Sequence, residues 1–382
     1  MKNDEEIINL KKHIDYKTKV CERMKTSPIL DDFKFLQKRI KNKEFKGIIL
    51  YAEAVMWEPI QRPQQLLKQL AKNGYLCFFC EINNKENYVL KEINKNLFVV
   101  NGEEILLPLL QNEEIIFYIS YFLQYVFSQH FTKKIIWFDI LDRLDFFSIY
   151  NKYSEKIWRE LRKNADFITY SALKLKHYTK SRKSILLQNA ANPEDFEIDQ
   201  DIVYEDLQNI ILKGKKIIGY YGAIEKWFEW DIIKLLNDSD KYSIVLIGNI
   251  GVEVDKSLKN VYYLGPKKYS DLKYYASHFD VALIPFIVNS ITNYVSPVKF
   301  FEYLAFHLPV LSTNIYEMKQ YKTSVLKIIN KKEIKHVEKY IDELIKIDKE
   351  TVIAETSKIL AENTWSIRAN KIIELINRSK EL

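Results

Sequence analysis

Apolar positions along the chain change their period twice. Over residues 1–45 they recur at helical spacing, at Ile7, Ile8, Leu10 and Ile14 and again at Leu30, Phe33, Leu36 and Ile40, which predicts two surface helices parted near Ser27 and Pro28. From Gly47 onward short continuous apolar runs take over. The run from Ile48 to Ala52 reads as a buried strand, followed by a loop and a helix opening at Pro63, where proline suits a first helical turn. Further strands are expected at 76–81, 97–100, 135–139, 167–170 and 184–187, with a long aromatic helix over about 113–131. Residues 189–215 are polar, acidic and turn-rich and read as a linker. A second alternation follows, with strands beginning at Ile217, Ser243, Val261, Val281 and Val310 and helices near 229–237, 269–276 and from Pro297. Beyond about 333 the pattern is amphipathic and helical.

Strands that alternate with helices imply parallel sheets covered on both faces. The expected fold class is therefore α/β, with two Rossmann-like domains facing across a cleft and an N-terminal helical extension. The expected divisions are a helical extension at 1–45, a first domain at 46–195, a second at 196–345, and C-terminal helices at 346–382 placed to cross back to the first domain.

Composition agrees with this division. At ~100–200 residues per domain, 382 residues make two domains. A hydrophobic fraction of 47%, with 25 Tyr and 21 Phe, excludes a disordered chain. Only nine residues are glycine, against a usual share of ~7%, which leaves little material for glycine-rich phosphate loops. Any phosphate site must be built another way. Three cysteines are too few for a disulfide framework, and Cys77 and Cys80, three apart on an expected strand, read as two buried thiols. The start is polar, and no apolar run approaches the ~18 residues of a membrane span, so a cytoplasmic protein without a signal peptide is expected.

Charge is uneven. Residues 1–190 carry 32 basic and 23 acidic side chains, and the remainder 26 and 28. The basic half could meet an anionic membrane surface or a phosphorylated substrate, or be lysine on solvated faces. No nucleic-acid module accompanies it, so no nucleic-acid partner is expected.

The chemistry concentrates at residues 289–302. An apolar strand ending at Pro285 and Phe286 leads through a polar loop to Ser296 and Pro297. A serine cap followed by proline starts a helix, leaving free backbone N–H groups and a positive dipole end beside Lys299. That is a phosphate site without a glycine loop. Glu302 could accept hydrogen bonds from neutral hydroxyls such as a ribose diol. An ordinary capped helix with a solvated Lys and Glu accounts for the spacing equally well.

The segment from Ser296 to Thr313 resembles the nucleotide-sugar site of GT-B glycosyltransferases, notably the retaining family 4 group. The likeness extends upstream through 218–231, 245–248, 260–265 and 278–289, and more weakly through Trp57, 61–67 and 137–142. It is similar to the branch that makes teichuronic acid and other cell-surface polysaccharides. The resemblance implies that Ser296, Pro297, Val298 and Lys299 receive the donor diphosphate, with N–H groups from Val298, Lys299 and Ser296 because proline has none. Glu302 would hold the ribose. Gly222 and Lys226 would lie by the phosphates, and Gly248 and Gly265 would frame the base. Ala223 stands where the family commonly has Arg, and Tyr294 where it commonly has a carboxylate facing the donor sugar. Asn289, Thr292 and Asn293 are the candidate replacements.

The resemblance assigns the acceptor to the first domain. Asp139 and Asp142, after the strand at 135–138, could orient an acceptor hydroxyl beside Trp57 and Arg62, with Lys299, Asp139 and Asp142 as the catalytic set. A buried carboxylate capping a helix and a structural ion pair at Arg62 are equally open. The histidines lack metal-ligand spacing, and Asp238-Ser-Asp240 sits in a helix-to-strand loop, so no essential metal or other cofactor is expected. The implied activity is transfer, with retention, of a sugar from a nucleotide diphosphate sugar to a hydroxyl of a cell-surface glycan or lipid-linked oligosaccharide; the basic half adds the expectation of a peripheral contact with the inner face of the cell membrane. The alternative is a catalytically silent GT-B protein that binds or scaffolds partners in a glycan-assembly complex.

Overall fold

The computed structural model describes residues 2–82, 88–146, 150–181 and 184–381. The chain divides into two compact units: Met1–Leu187 with Arg368–Leu382, and Gln188–Ile367.

The first unit is built on eight strands: β1 (Ile48–Tyr51), β2 (Leu76–Glu81), β3 (Leu90–Asn94), β4 (Leu97–Asn101), β5 (Ile115–Ile119), β6 (Lys134–Ile140), β7 (Phe167–Tyr170) and β8 (Ser184–Leu186). Their order is β3-β4-β2-β1-β5-β6-β7-β8. All pairs are parallel except β3 with β4, where a hairpin turns back at the edge. Every residue of β1, β2 and β5 is buried, as expected of strands covered on both faces. Cys77 and Cys80 lie buried and unpaired in β2.

A long helix over 113–131 is not what forms. Ile115–Ile119 is a central strand paired with both β1 and β6, and the helix is confined to Phe122–Ser128. Five successive apolar residues, all β-branched or aromatic, favour the pleated core position, whereas their aromatic continuation suits a helix. The break is fixed by Gln124, whose side-chain oxygen accepts from the N–H groups of Ser120 and Tyr121 at 2.8 and 2.9 Å.

The N-terminal extension belongs to the first unit. Helices Lys2–Met24 and Lys34–Lys41 form as the spacing predicts, and Leu10, Cys21, Phe33 and Leu36 are buried.

The second unit carries β9 (Lys216–Tyr221), β10 (Tyr242–Ile247), β11 (Val261–Gly265), β12 (Val281–Ile284), β13 (Val310–Thr313) and β14 (Leu326–Ile329). The order is β11-β10-β9-β12-β13-β14, parallel throughout. Residues 189–215 are not an exposed linker. Ala190, Ala191, Phe196, Leu207 and Ile210 are buried, and the Phe196 ring meets Phe306 edge-on at 4.8 Å between centroids. The polar residues around them mask an apolar stripe, so the boundary falls at 187/188 rather than 195/196. The segment 346–382 is likewise not one block. Helix Lys349–Leu360 stays with the second unit, where Thr356 bonds His307 at 2.7 Å, and only residues from Arg368 belong to the first.

Candidate functional site

In the second sheet β9 and β12 are neighbours, although two strands intervene in sequence, and chain order reverses between them. Open parallel sheets bind ligands at the carboxyl ends of strands beside such a reversal. Three glycines mark this edge. Gly222 follows β9 with φ 134°, Gly248 follows β10 with φ 142°, and Gly265 ends β11 with φ 67°. Space is lacking as well as conformational freedom: a Cβ on Gly248 would lie 2.0 Å from the Gly222 carbonyl oxygen, and one on Gly222 would lie 2.0 Å from Lys299 Cε and 2.6 Å from Nζ. The Gly248 N–H donates to the Gly265 carbonyl at 2.9 Å. The backbone itself is thus the wall against which Lys299 rests.

Lys299 comes from helix Val298–Ala305, which follows β12 through the loop at 285–297. Its ammonium lies 5.8 Å from the centre of the Tyr220 ring, and no carboxylate of the described residues makes an ion pair with it. Burial lowers its pKa, an effect that Glu302 partly opposes. An ammonium removed from water without a paired anion is a site for one. Glu302, one turn along the same helix, is 6% exposed, and burial raises its pKa against the pull of Lys299.

The helix start differs from the expected serine cap. The residue at the cap position is Pro297, with no side-chain cap. Ser296 is instead tied to Asn189, whose N–H donates to Oγ at 3.4 Å and whose amide donates to the Ser296 carbonyl at 2.6 Å. The first turn, at Val298 and Lys299, therefore has no side chain over its amides.

Asn289, Thr292 and Asn293 do not serve as open sugar ligands. Asn289 Oδ1 accepts from the N–H groups of Ile291 and Thr292 at 2.7 and 3.0 Å, and Thr292 Oγ1 donates to the Ile287 carbonyl at 2.6 Å. Asn293 donates to the Asn289 carbonyl and accepts from the Tyr316 N–H. These side chains shape the loop that delivers Lys299. Lys226 is exposed on the loop after β9.

In the first unit, the Asp139 and Arg62 candidates turn out to be one structural ion pair. Asp139 is fully buried and Arg62 is 5% exposed; Arg62 Nε and a terminal nitrogen donate to Oδ2 and Oδ1 at 2.7 and 3.0 Å. Tyr118 and Thr169 donate to the same carboxylate at 2.9 and 2.6 Å. With four donors, Asp139 has no capacity left to orient an acceptor, and Arg62 is buried and committed to that carboxylate. Trp57 is also structural: it is buried, its ring meets Phe79 edge-on at 5.2 Å, and its backbone N–H donates to the Glu81 carboxylate at 2.6 Å. Asp142 is exposed just past β6.

The first unit has a cavity that the sequence did not disclose. About 310 Å³ lies between helix Lys2–Met24 and the segments following β1, β2, β4 and β5, with His13, Lys17, Cys21, Glu53, Glu103 and Tyr121 in its wall. His13, Lys17 and Cys21 are four residues apart, so they share one face of the helix, which is the signal that could have revealed it. Lys17 Nζ is 2.6 Å from Glu53, 3.8 Å from Glu103 and 3.6 Å from Glu104. Burial, and then repulsion from Glu53, raise the Glu103 carboxyl to about 8 despite Lys17. Burial pushes the Cys21 thiol up to about 12, which leaves it protonated and inert.

Two Rossmann-like units, each on a parallel-dominated sheet, give the chain the GT-B fold of glycosyltransferases. No family model matches the sequence. A teichuronic acid biosynthesis glycosyltransferase by name, TuaH of Bacillus subtilis (strain 168), is 28% identical over 115 residues, a stretch that covers 28% of this chain and 29% of that protein. The match thus spans less than a third of the relative's length. Among solved structures, a sucrose-phosphate synthase of Thermosynechococcus elongatus aligns with a TM-score of 0.64 at 14% identity, over 87% of this chain and 98% of that one. A trehalose-6-phosphate protein from E. coli bound with UDP-2-fluoro glucose gives 0.64 at 12%, over 86% and 98%. Anabaena HepE in complex with UDP and glucose gives 0.62 at 10%, over 86% and 99%. At these identities the likeness is one of fold.

Proposed function

We propose that the protein is a glycosyltransferase that moves a sugar from a nucleotide diphosphate sugar, held by the second unit, to a hydroxyl of a glycan or lipid-linked acceptor, with retention. The observation that carries this is the unpaired Lys299 ammonium, resting on Gly222 at the β9/β12 reversal and beside an uncapped helix start. A diphosphate leaving group gains charge as its bond to the sugar breaks. Lys299 and the amides of Val298 and Lys299 would meet that charge already oriented, which is the most effective form of electrostatic catalysis. The fold of structures holding UDP or a UDP-sugar, and the TuaH match, support the same reading.

For the acceptor, the cavity under helix Lys2–Met24 is a better candidate than the expected Asp139 and Arg62, because it is open space at the carboxyl ends of β1, β2, β4 and β5. Asp142 remains the exposed carboxylate of the original set. No resident metal is part of the proposal, and turnover should persist in EDTA. Placement at the inner face of a membrane through the basic half is proposed too. No helix of the described residues is long and apolar enough to cross a membrane, and sedimentation with anionic vesicles at varied salt tests the peripheral contact.

The decisive experiment is a panel of nucleotide diphosphate sugars assayed for transfer and for slow hydrolysis. Thermal shift gives a parallel readout, since a ligand at 100 times its Kd adds about 2.7 kcal/mol. The catalytically silent reading rests on Tyr294 and Ala223, and on the internal bonding of Asn289, Thr292 and Asn293. Binding without transfer or hydrolysis would favour it.

A further inference from the structure

The cavity under helix Lys2–Met24 has a wall of two kinds. Ile14 on that helix and Leu123, Val126 and Phe127 on helix Phe122–Ser128 line it with apolar surface. Lys17, Glu53 and Glu103 also stand in the wall, with Glu104 within reach of Lys17. At about 310 Å³ the space is at the small end of ligand pockets, enough for one ring-sized group.

Charge in this wall does not balance. Three carboxylates face one ammonium, and among the described residues no other cation pairs with any of them. Their places are fixed: the Glu53 N–H donates to Glu103 Oε2 at 2.9 Å, and the Glu103 N–H donates to Glu53 Oε1 at 3.3 Å. Glu104 Oε2 is enclosed without a hydrogen-bond donor, with Lys17 3.6 Å away. Glu103 answers part of the excess by staying protonated at neutral pH, which still leaves one negative charge over. The wall histidines do not make it good. Burial keeps His130 below its ordinary pKa, and its ring faces Glu22 at 3.0 Å, while His13 is exposed to water.

An enclosure short of one cation repels anions, so a phosphate is the wrong ligand here, although the basic half of the sequence admits one. A hydroxyl finds acceptors but leaves the charge as it was. A primary ammonium brings three donors and the missing positive charge together.

Resting on the reading of this cavity as the acceptor site, we propose that it selects a primary ammonium carried on a ring-sized body, so that the acceptor bears a free amino group where it enters, and not a phosphate. The ammonium is held as a counter-ion and no bond to it is made or broken. Glu103 gives its proton to solvent and pairs with it.

The test is calorimetry on the full-length protein with cyclohexylammonium, cyclohexanol and cyclohexanecarboxylate, which share a ring and differ in charge. The wild type should bind the ammonium at least about tenfold more tightly than the alcohol, the margin of a charged hydrogen bond, and the carboxylate not measurably. Ala54→Phe, which fills the space, should abolish ammonium binding. The groups around Glu103 are Glu53 after β1, Cys80 on β2, Glu104 beside it, and Lys17 and Cys21 on the N-terminal helix; burial pushes both thiols up, so they stay protonated. As Glu103 ionises, the wild type should gain up to about tenfold in ammonium affinity from pH 7 to 9, and Glu103→Gln should lose that gain. Equal binding of the alcohol, measurable binding of the carboxylate, binding that survives Ala54→Phe, or an equal pH gain in Glu103→Gln overturns the proposal. Competition between cyclohexylammonium and the acceptor in the transfer assay supports the acceptor's place here. Ammonium-selective binding without competition overturns that place alone, and the selectivity of the cavity stands.

Discussion

Arg62 and Asp139, 77 residues apart in sequence, meet as a two-point ion pair at the centre of the first unit. Burial this complete makes the pair a matter of stability. Removing one partner leaves the other charged and alone in the core, at a cost of about 3–5 kcal/mol. Asp139→Asn should lower stability to urea by a large part of that amount, and a joint Arg62→Met, Asp139→Leu replacement should be less damaging than the single change. Loss of turnover in Asp139→Asn with an unchanged urea midpoint would restore the catalytic role.

Gly222 and Lys299 are coupled by contact. A methyl group on Gly222 cannot coexist with the present Lys299 side chain, and φ 134° is itself unfavourable for alanine. Gly222→Ala should therefore weaken nucleotide diphosphate binding, as Lys299→Ala does, by about ten- to a hundredfold, the range of a lost charge-assisted contact. Lys299→Ala should leave the melting temperature within a few degrees of the wild type. Calorimetry with UDP, GDP and ADP on both variants provides the check.

The Glu103 carboxyl makes stability depend on pH in a direction opposite to that of an ordinary paired carboxylate. Its pKa rises from an ordinary value of 4.5 to about 8 on folding. Its contribution is fully present below about pH 4.5 and is lost as pH rises through about 8, because the folded state must then hold a second buried carboxylate beside Glu53. Glu103→Gln mimics the neutral acid, so its melting temperature should gain on the wild type between pH 5 and 9. A constant difference across that range would contradict the assignment.

Filling the cavity tests its part in acceptor binding. Ala54 is a small residue in the wall, and Ala54→Phe should occupy much of the space. Acceptor-dependent turnover should fall at least about tenfold, a loss of roughly 1.4 kcal/mol in transition-state binding, with nucleotide affinity unchanged. Equal transfer by the variant would rule the cavity out.

Much of the scaffold was legible in the sequence because strands covered on both faces appear as unbroken apolar runs, as at Ile48–Tyr51 and Val281–Ile284. Lys299 could be found for the same reason, since the helix that follows such a strand begins at the strand's carboxyl end in an open α/β sheet, even across the loop at 285–297. The run at 115–119 misled because its aromatic continuation hides the point where the period changes, and a glutamine side chain rather than Gly or Pro makes the break. Asp139 looked catalytic because nothing local announces Arg62 as its partner. Asn289, Thr292 and Asn293 looked available because a turn closed by side chains has the same composition as an open polar loop. The cavity depends on where helix Lys2–Met24 docks, which no local pattern specifies.

The three glycines at the edge of the second sheet also bear on how freely the sequence can vary. Gly222 and Gly248 lie within contact distance of one another, and Gly222 also touches Lys299. An enlargement at Gly248 meets backbone, which cannot move aside, and one at Gly222, besides its unfavourable φ of 134°, can be relieved only by shifting the Lys299 ammonium from its place. Saturation mutagenesis should therefore show 222 and 248 as intolerant for conformation and space together, and 219 for space alone, since a Cβ there would lie 2.0 Å from the Phe279 ring, while Gly214, with nothing within 4 Å of a built Cβ, carries only the cost of its own backbone angle.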